Sequence, residues 1–133
     1  MKEPEHLVYV VDDDESVRRA LKSLLGSAGL RVETYSSAQK FLVLANPLAT
    51  ACLVVDVRMS DMSGLELQLR LAACGSKIPV IFITAYDDPR AYVRAMKGGA
   101  KAFLQKPLDD QILLATIHSS FDHEEAAESA NEE

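Results

Sequence analysis

The stretch Leu53–Gly64, LVVDVRMSDMSG, decides the fold. Three apolar residues, Leu53-Val54-Val55, stop abruptly at Asp56, and a polar loop with Ser60, Asp61, Ser63 and Gly64 follows. A short β-branched run bounded by turn residues reads as a strand buried on both faces, as in a parallel sheet. Its end then lies at the carboxyl edge of the sheet, where open α/β folds place their ligands. Asp56 is therefore desolvated on one side and accessible on the other, which suits a reactive group better than a structural one.

The same pattern recurs outward from that strand. Leu7–Val11 (LVYVV) is a first buried strand that stops at Asp12-Asp13-Asp14. A helix begins near Glu15-Ser16, with Val17, Leu21, Leu24, Leu25 and Ala28 at helical spacing and Gly29 as its stop. Arg31–Tyr35 is a second strand. Ser36-Ser37 caps a helix carrying Phe41, Leu42 and Leu44 that ends at Asn46-Pro47. After the central strand, Ala51–Val55, a third stripe runs through Leu65, Leu69 and Ala72 to Gly75. Pro79 opens Val80–Ile83, which stops at Thr84. Asp87-Asp88-Pro89 starts a fourth helix and Gly98-Gly99 ends it. Ala102–Leu104 is a short fifth strand closed by Lys106-Pro107, and Leu108, Ile112, Leu113, Ile117 and Phe121 supply a last helix. Five strand–helix alternations imply a parallel sheet with helices on both faces, and right-handed crossovers leave few topologies.

Composition excludes several classes. The 133 residues, 48% hydrophobic and 26% charged, suit one globular domain. No apolar run approaches the ~20 residues of a membrane helix, and Met1-Lys2-Glu3-Pro4 does not open a signal peptide, so a cytoplasmic protein is expected. Cys52 and Cys74 match no metal or redox spacing and read as packing residues. Residues 122–133 hold six acids and no Lys or Arg; without them, 14 acids face 14 bases, despite the net charge of −6. A body with no cationic excess is not built to bind nucleic acid directly. The expected division is a lead (1–6), one domain (7–121), and an acidic tail or shortened linker (122–133).

Four strands end in a polar group: Asp12-Asp13, Asp56, Thr84 and Lys106. In a parallel sheet those ends point the same way and converge on one pocket. Carboxylates at ~5 Å repel by roughly 3 kcal/mol per pair at an effective dielectric near 20. A hard divalent cation removes that cost, and all-oxygen ligands suit Mg²⁺ or Mn²⁺. Metal, ammonium, hydroxyl and one exposed carboxylate make a site for an incoming phosphoryl group, with Asp56 as nucleophile. A phosphate-cradling Gly-rich loop is missing from the sequence, so an intact nucleotide is not the expected donor.

At this point the sequence resembles the receiver domains of bacterial two-component response regulators. The matching pieces are VVDDDESVRRAL, LVVDVRMSDMSG, PVIFITAY and GAKAFLQKP, in family order and spacing across residues 7–121. The body is most similar to receivers of FixJ-like and wider LuxR-type transcription regulators. The resemblance implies a flavodoxin- or CheY-like doubly wound fold, with five parallel strands in the order 2-1-3-4-5 and five helices. It implies that Asp56 is the phosphoacceptor, that Asp13 and Asp56 ligate Mg²⁺, that Asp12 holds a metal-bound water, and that the Arg58 backbone carbonyl completes the protein ligands. Thr84 would bond the phosphoryl group, Lys106 would pair with it, and Phe103 matches the aromatic switch residue. Arg58 and Tyr86 occupy positions that tune dephosphorylation, and bulky Tyr86 is expected to shield the phosphoaspartate from water. Lys106–Pro107 is cis in the family. Ser60 stands where the family usually has Pro, a change in loop stiffness rather than chemistry.

The implied partners are a sensor histidine kinase, a second copy joined through the fourth helix, fifth strand and fifth helix on phosphorylation, and a DNA-binding output domain. No membrane partner is implied. The chain would catalyse only its own phosphotransfer and dephosphorylation, so it is not expected to be an enzyme in the turnover sense. A metal-dependent phosphatase of the haloacid-dehalogenase kind also forms an aspartyl phosphate, but needs a second Asp two residues on, where this chain has Arg58. A degenerate receiver is the third reading, disfavoured because every site residue is present. Asp14, Asp61, Asp87, Asp88, Asp109 and Asp110 read as caps and loop residues, and His6, His118 and His123 as solvated.

Overall fold

A computed structural model describes residues 6–45 and 51–131, with side chains as far as Phe121. The apolar runs form β1 (Leu7–Val11), β2 (Arg31–Tyr35), β3 (Ala51–Asp56), β4 (Val80–Thr84) and β5 (Ala102–Gln105). The helices are α1 (Glu15–Ser27), α2 (Ala38–Leu44), α3 (Gly64–Ala73), α4 (Pro89–Lys97) and α5 (Asp110–Asn131). The strands pair in parallel in the order β2-β1-β3-β4-β5. That is the doubly wound order expected. The chain goes one way from β1 to β2 and the other way from β3 to β5, so the loops after β1 and β3 part and leave a crevice.

The two-residue period of a strand sorts the core into two layers. Leu7, Tyr9, Val11, Leu53, Val55 and Phe82 face one way and pack with Phe41 of α2, Leu67 and Leu71 of α3, and Ala91 and Ala95 of α4. Val8, Val10, Cys52, Val54, Ile81 and Ile83 face the other way, against Leu21 and Leu25 of α1 and Leu113, Ile117 and Phe121 of α5. A strand covered on both faces has to be apolar throughout, which is why these runs do not alternate.

Helix starts follow the capping residues. Asp14 accepts the Ser16 N–H at 2.9 Å, Ser37 caps α2, Ser63 caps α3, and Asp88 caps α4 with Pro89 in the first turn. Asp109 accepts the Gln111 and Ile112 N–H groups at the start of α5. The chain leaves α1 at Gly29, whose φ of +86° disfavours any residue with a Cβ.

Several expectations are corrected. The buried arc of α3 is Gly64, Leu65, Leu67, Gln68 and Leu71, so Leu69 lies beyond its edge and is 56% exposed. The arc turns towards Gln68 because its Nε2 donates to the Ala95 carbonyl of α4 at 3.0 Å. Leu44 and Ile112 are exposed for the same reason, since each lies off the face its helix buries. Cys52 packs in the core, but Cys74 is the exposed C-cap of α3. His6 is half-buried and stacks on Phe121 at 4.2 Å between ring centroids, rather than standing in water. Separately from these corrections, the backbone of α5 continues to Asn131 through an Ala- and Glu-rich segment of good helix formers, which leaves the expected division into domain and tail an expectation. The Asn46-Pro47 stop and nearly all of the lead lie outside the described residues.

Candidate functional site

The crevice at the carboxyl edge gathers residues from three strand ends. Asp12 follows β1, is fully buried, and its Oδ1 accepts the Asp14 N–H at 2.9 Å. Arg18 of α1 donates to the Asp12 carbonyl at 2.8 Å and fixes that backbone. Asp13 is exposed, and its Oδ2 accepts the Ser60 N–H from the β3–α3 loop at 3.2 Å. Asp56 closes β3 at 8% exposure, with Oδ1 accepting the Arg58 N–H at 3.2 Å. Lys106, after β5, reaches Asp12 Oδ2 at 3.0 Å and Asp56 Oδ2 at 3.3 Å. Its backbone N–H donates to the Thr84 carbonyl at 2.7 Å, and its bond to Pro107 is cis.

Gly64 lets α3 approach this closely. A Cβ there would lie 2.3 Å from the Asp56 carbonyl oxygen. The sequence signalled Gly64 only as a turn glycine.

The electrostatics are those of an underneutralised cluster. Burial first, then the Asp12 charge, pushes the Asp56 carboxyl above its ordinary value, with Lys106 and the Arg58 N–H opposing. Burial pulls the Lys106 ammonium down, but the hydrogen bond and charge of Asp12, with the charge of Asp56, carry it above the usual lysine value. Asp12, Asp13 and Asp56 each bring an oxygen within 4.8 Å of the others, and among the described residues Lys106 is the cation paired with two of them, Asp12 and Asp56. An all-oxygen donor set with unbalanced negative charge fits a hard divalent cation.

The other site residues stand around the cluster rather than in it. The Thr84 hydroxyl is 1% exposed and exchanges two 3.2 Å hydrogen bonds with the Tyr86 backbone, donating to its carbonyl and accepting from its N–H. Phe103 on β5 is half-buried, tilted against Phe82 at 6.2 Å and edge-on to Tyr92 of α4 at 5.6 Å. A groove of about 350 Å³ lies beside it, lined by Thr84, Tyr86, Tyr92 and Gln105 among others. Tyr86 is 59% exposed, with the Arg58 guanidinium 4.9 Å from its ring centroid. Arg58 also pairs with Asp88, the α4 cap, at 3.2 Å. Asp88 was legible as a cap from its place before Pro89, but nothing local marks its partner thirty residues upstream.

The response regulator receiver domain family matches residues 8–118, and the chain belongs to that family. It is 46% identical over 120 residues to response regulator protein TmoT of Ectopseudomonas mendocina, covering 90% of this chain and 54% of TmoT. It is 47% identical over 118 residues to the transcriptional regulatory protein FixJ of Azorhizobium caulinodans, covering 88% of this chain and 56% of FixJ. The crystal structure of FixJ-N superposes with a TM-score of 0.83 at 38% identity, covering 91% of this chain and 97% of that one. The protein is thus a two-component receiver of the FixJ-like kind, a signalling domain whose relatives are named as response regulators and transcriptional regulators. The chain spans about half the length of the curated relatives it matches. No helix among the described residues is long and apolar enough to cross a membrane.

Proposed function

We propose that this receiver takes a phosphoryl group onto Asp56 from the phosphohistidine of a sensor kinase. The observation that carries the reading is the Lys106 ammonium spanning Asp12 and Asp56 at 3.0 and 3.3 Å, with Asp13 beside them. An Asp56 oxygen attacks phosphorus, the P–N bond of phosphohistidine breaks, and its electron pair leaves with the imidazole nitrogen. Asp12, Asp13, Asp56 and the Arg58 carbonyl are the groups that would hold Mg²⁺, or Mn²⁺ in its place. When bound, the metal neutralises charge on the phosphoryl oxygens. Lys106, already protonated and close, pairs with those oxygens as charge builds. Thr84 turns its hydroxyl from the Tyr86 carbonyl to the phosphoryl group, and Phe103 rotates inward behind it.

The output is a change of contacts on the face of α4, β5 and α5. That face presents Tyr92, Val93, Met96 and Ile112 to solvent, so a second copy or a DNA-binding output domain in a longer protein has apolar surface to cover. The domain itself catalyses only its own phosphotransfer and dephosphorylation, and works in the cytoplasm with its kinase. Acetyl phosphate with Mg²⁺, read by intact mass and sizing, tests this. Wild type should gain one base-labile phosphoryl group and shift to a dimer, and Asp56→Asn should do neither. Equal incorporation in Asp56→Asn would overturn the reading.

A further inference from the structure

Arg58 stands between the phosphoacceptor and the start of α4. Its backbone N–H donates to Asp56 Oδ1 at 3.2 Å, while its guanidinium reaches across to Asp88 Oδ2 at 3.2 Å and lies over the Tyr86 ring. Asp88 does two things at once: Oδ2 holds Arg58, and Oδ1 accepts the Ala91 N–H as the N-cap of α4. Tyr86 in turn holds Thr84 through both backbone hydrogen bonds. Arg58 therefore straps the β3–α3 loop to the β4–α4 loop.

We infer that Arg58 exchanges partners: in the unmodified protein it ties Asp88 and Tyr86 down, and on phosphorylation it leaves them for the phosphoryl oxygens, freeing the β4–α4 loop to move. This rests on the reading of Asp56 as the acceptor. The exchange is favoured by charge and by exposure. The Arg58 and Asp88 side chains are 60% and 26% exposed, and ion pairs this open to water are weak. A phosphoryl group brings up to two negative charges and three acceptor oxygens, against the single charge of Asp88. Arginine pairs with such oxygens in bidentate fashion, so the new partner outcompetes the old one. Departure of the guanidinium uncovers the Tyr86 ring and removes the tether on the loop that holds Thr84. Arg58 is in this account a coupling residue, additional to Lys106, linking modification at β3 to the α4 face.

Asp88→Asn separates the cap from the tether, because asparagine still accepts the Ala91 N–H but no longer holds the guanidinium by charge. Beryllofluoride with Mg²⁺ is the probe for the phosphoryl group, titrated against wild type, Asp88→Asn, Arg58→Ala and the double variant. Asp88→Asn should bind it about threefold to tenfold more tightly than wild type, and the gain should vanish in the Arg58→Ala background. Hydrogen exchange at the Ala91 amide should speed up on binding in wild type and stay unchanged in Arg58→Ala. A gain from Asp88→Asn that persists without Arg58, or no gain at all, would overturn the exchange. Failure of wild type to bind beryllofluoride any better than Asp56→Asn would instead sink the acceptor reading, and this inference with it.

Discussion

Asp56 is charged at a cost, and that cost sets how the protein responds to pH. Its carboxyl is pushed up by burial and by Asp12, so the folded state holds that proton to a higher pH than the unfolded chain does. The stabilisation belongs to the protonated form: it is present below the unfolded carboxylate value and lost as pH rises through the folded one. Above it, the metal-free fold carries an unfavourable charge. Asp56→Asn should therefore be more stable than wild type at neutral pH without Mg²⁺, by about 1 kcal/mol after the offset from Lys106. Urea denaturation across a pH series should show the difference shrinking as pH falls through the carboxylate range. Substitution of Lys106 should act on stability in the opposite direction. Removing it as Lys106→Met leaves Asp12 buried without its cation, and a loss of roughly 3 kcal/mol is expected in the same urea experiment. Tyr86 is bulky, 59% exposed and bonded through its backbone to Thr84, so Tyr86→Ala should shorten the life of the phosphoaspartate. A severalfold faster phosphate loss is expected, and an unchanged lifetime would remove its shielding role. The residue types were legible here, because each stands at the end of an apolar run. The pairing of Lys106 with Asp12, 94 positions away, was not.

Two glycines in helices make opposite predictions at the scale of the element. Gly26, in the last turn of α1, has nothing within 4 Å of an added Cβ, whereas Gly64 opens α3 with its Cβ position 2.3 Å from the Asp56 carbonyl oxygen. Gly26→Ala should stabilise by about 0.5–1 kcal/mol, since alanine is the better helix former. Gly64→Ala should destabilise by about 2 kcal/mol or more, because backbone must move. Thermal melts of the two variants decide it, and equal shifts would contradict the close approach. The helices were legible in existence and in several of their starts, since Asp14, Ser37 and Asp88 are local signals, whereas the Ser63 cap of α3 read only as a loop residue. Their rotation was not. Leu69 and Ile112 fit an apolar stripe by spacing, yet the buried arcs are set by what lies opposite, including the Gln68 bond to α4.

The whole molecule is a sheet whose two layers hold a charged crevice open at one edge. Among the described residues, three carboxylates with Lys106 paired to two of them leave negative charge for a cation to compensate. At about a hundredfold excess over its dissociation constant, Mg²⁺ should stabilise the fold by about 2.7 kcal/mol and raise the melting temperature by roughly 10 °C. Asp13→Asn should abolish most of that rise, and an undiminished rise would place the cation elsewhere. The sequence by itself determined the class of fold, the strand-and-helix order and the kinds of group at the edge. These follow from hydrophobic period and turn chemistry, which are properties of neighbours along the chain. Only the tertiary structure decided that Lys106 bridges Asp12 and Asp56, that Ser60 meets Asp13 across 47 positions, and that Arg58 ties Asp88 across 30. Those contacts are differences of a few ångströms between elements whose separation is set by core packing, and no local pattern encodes a distance.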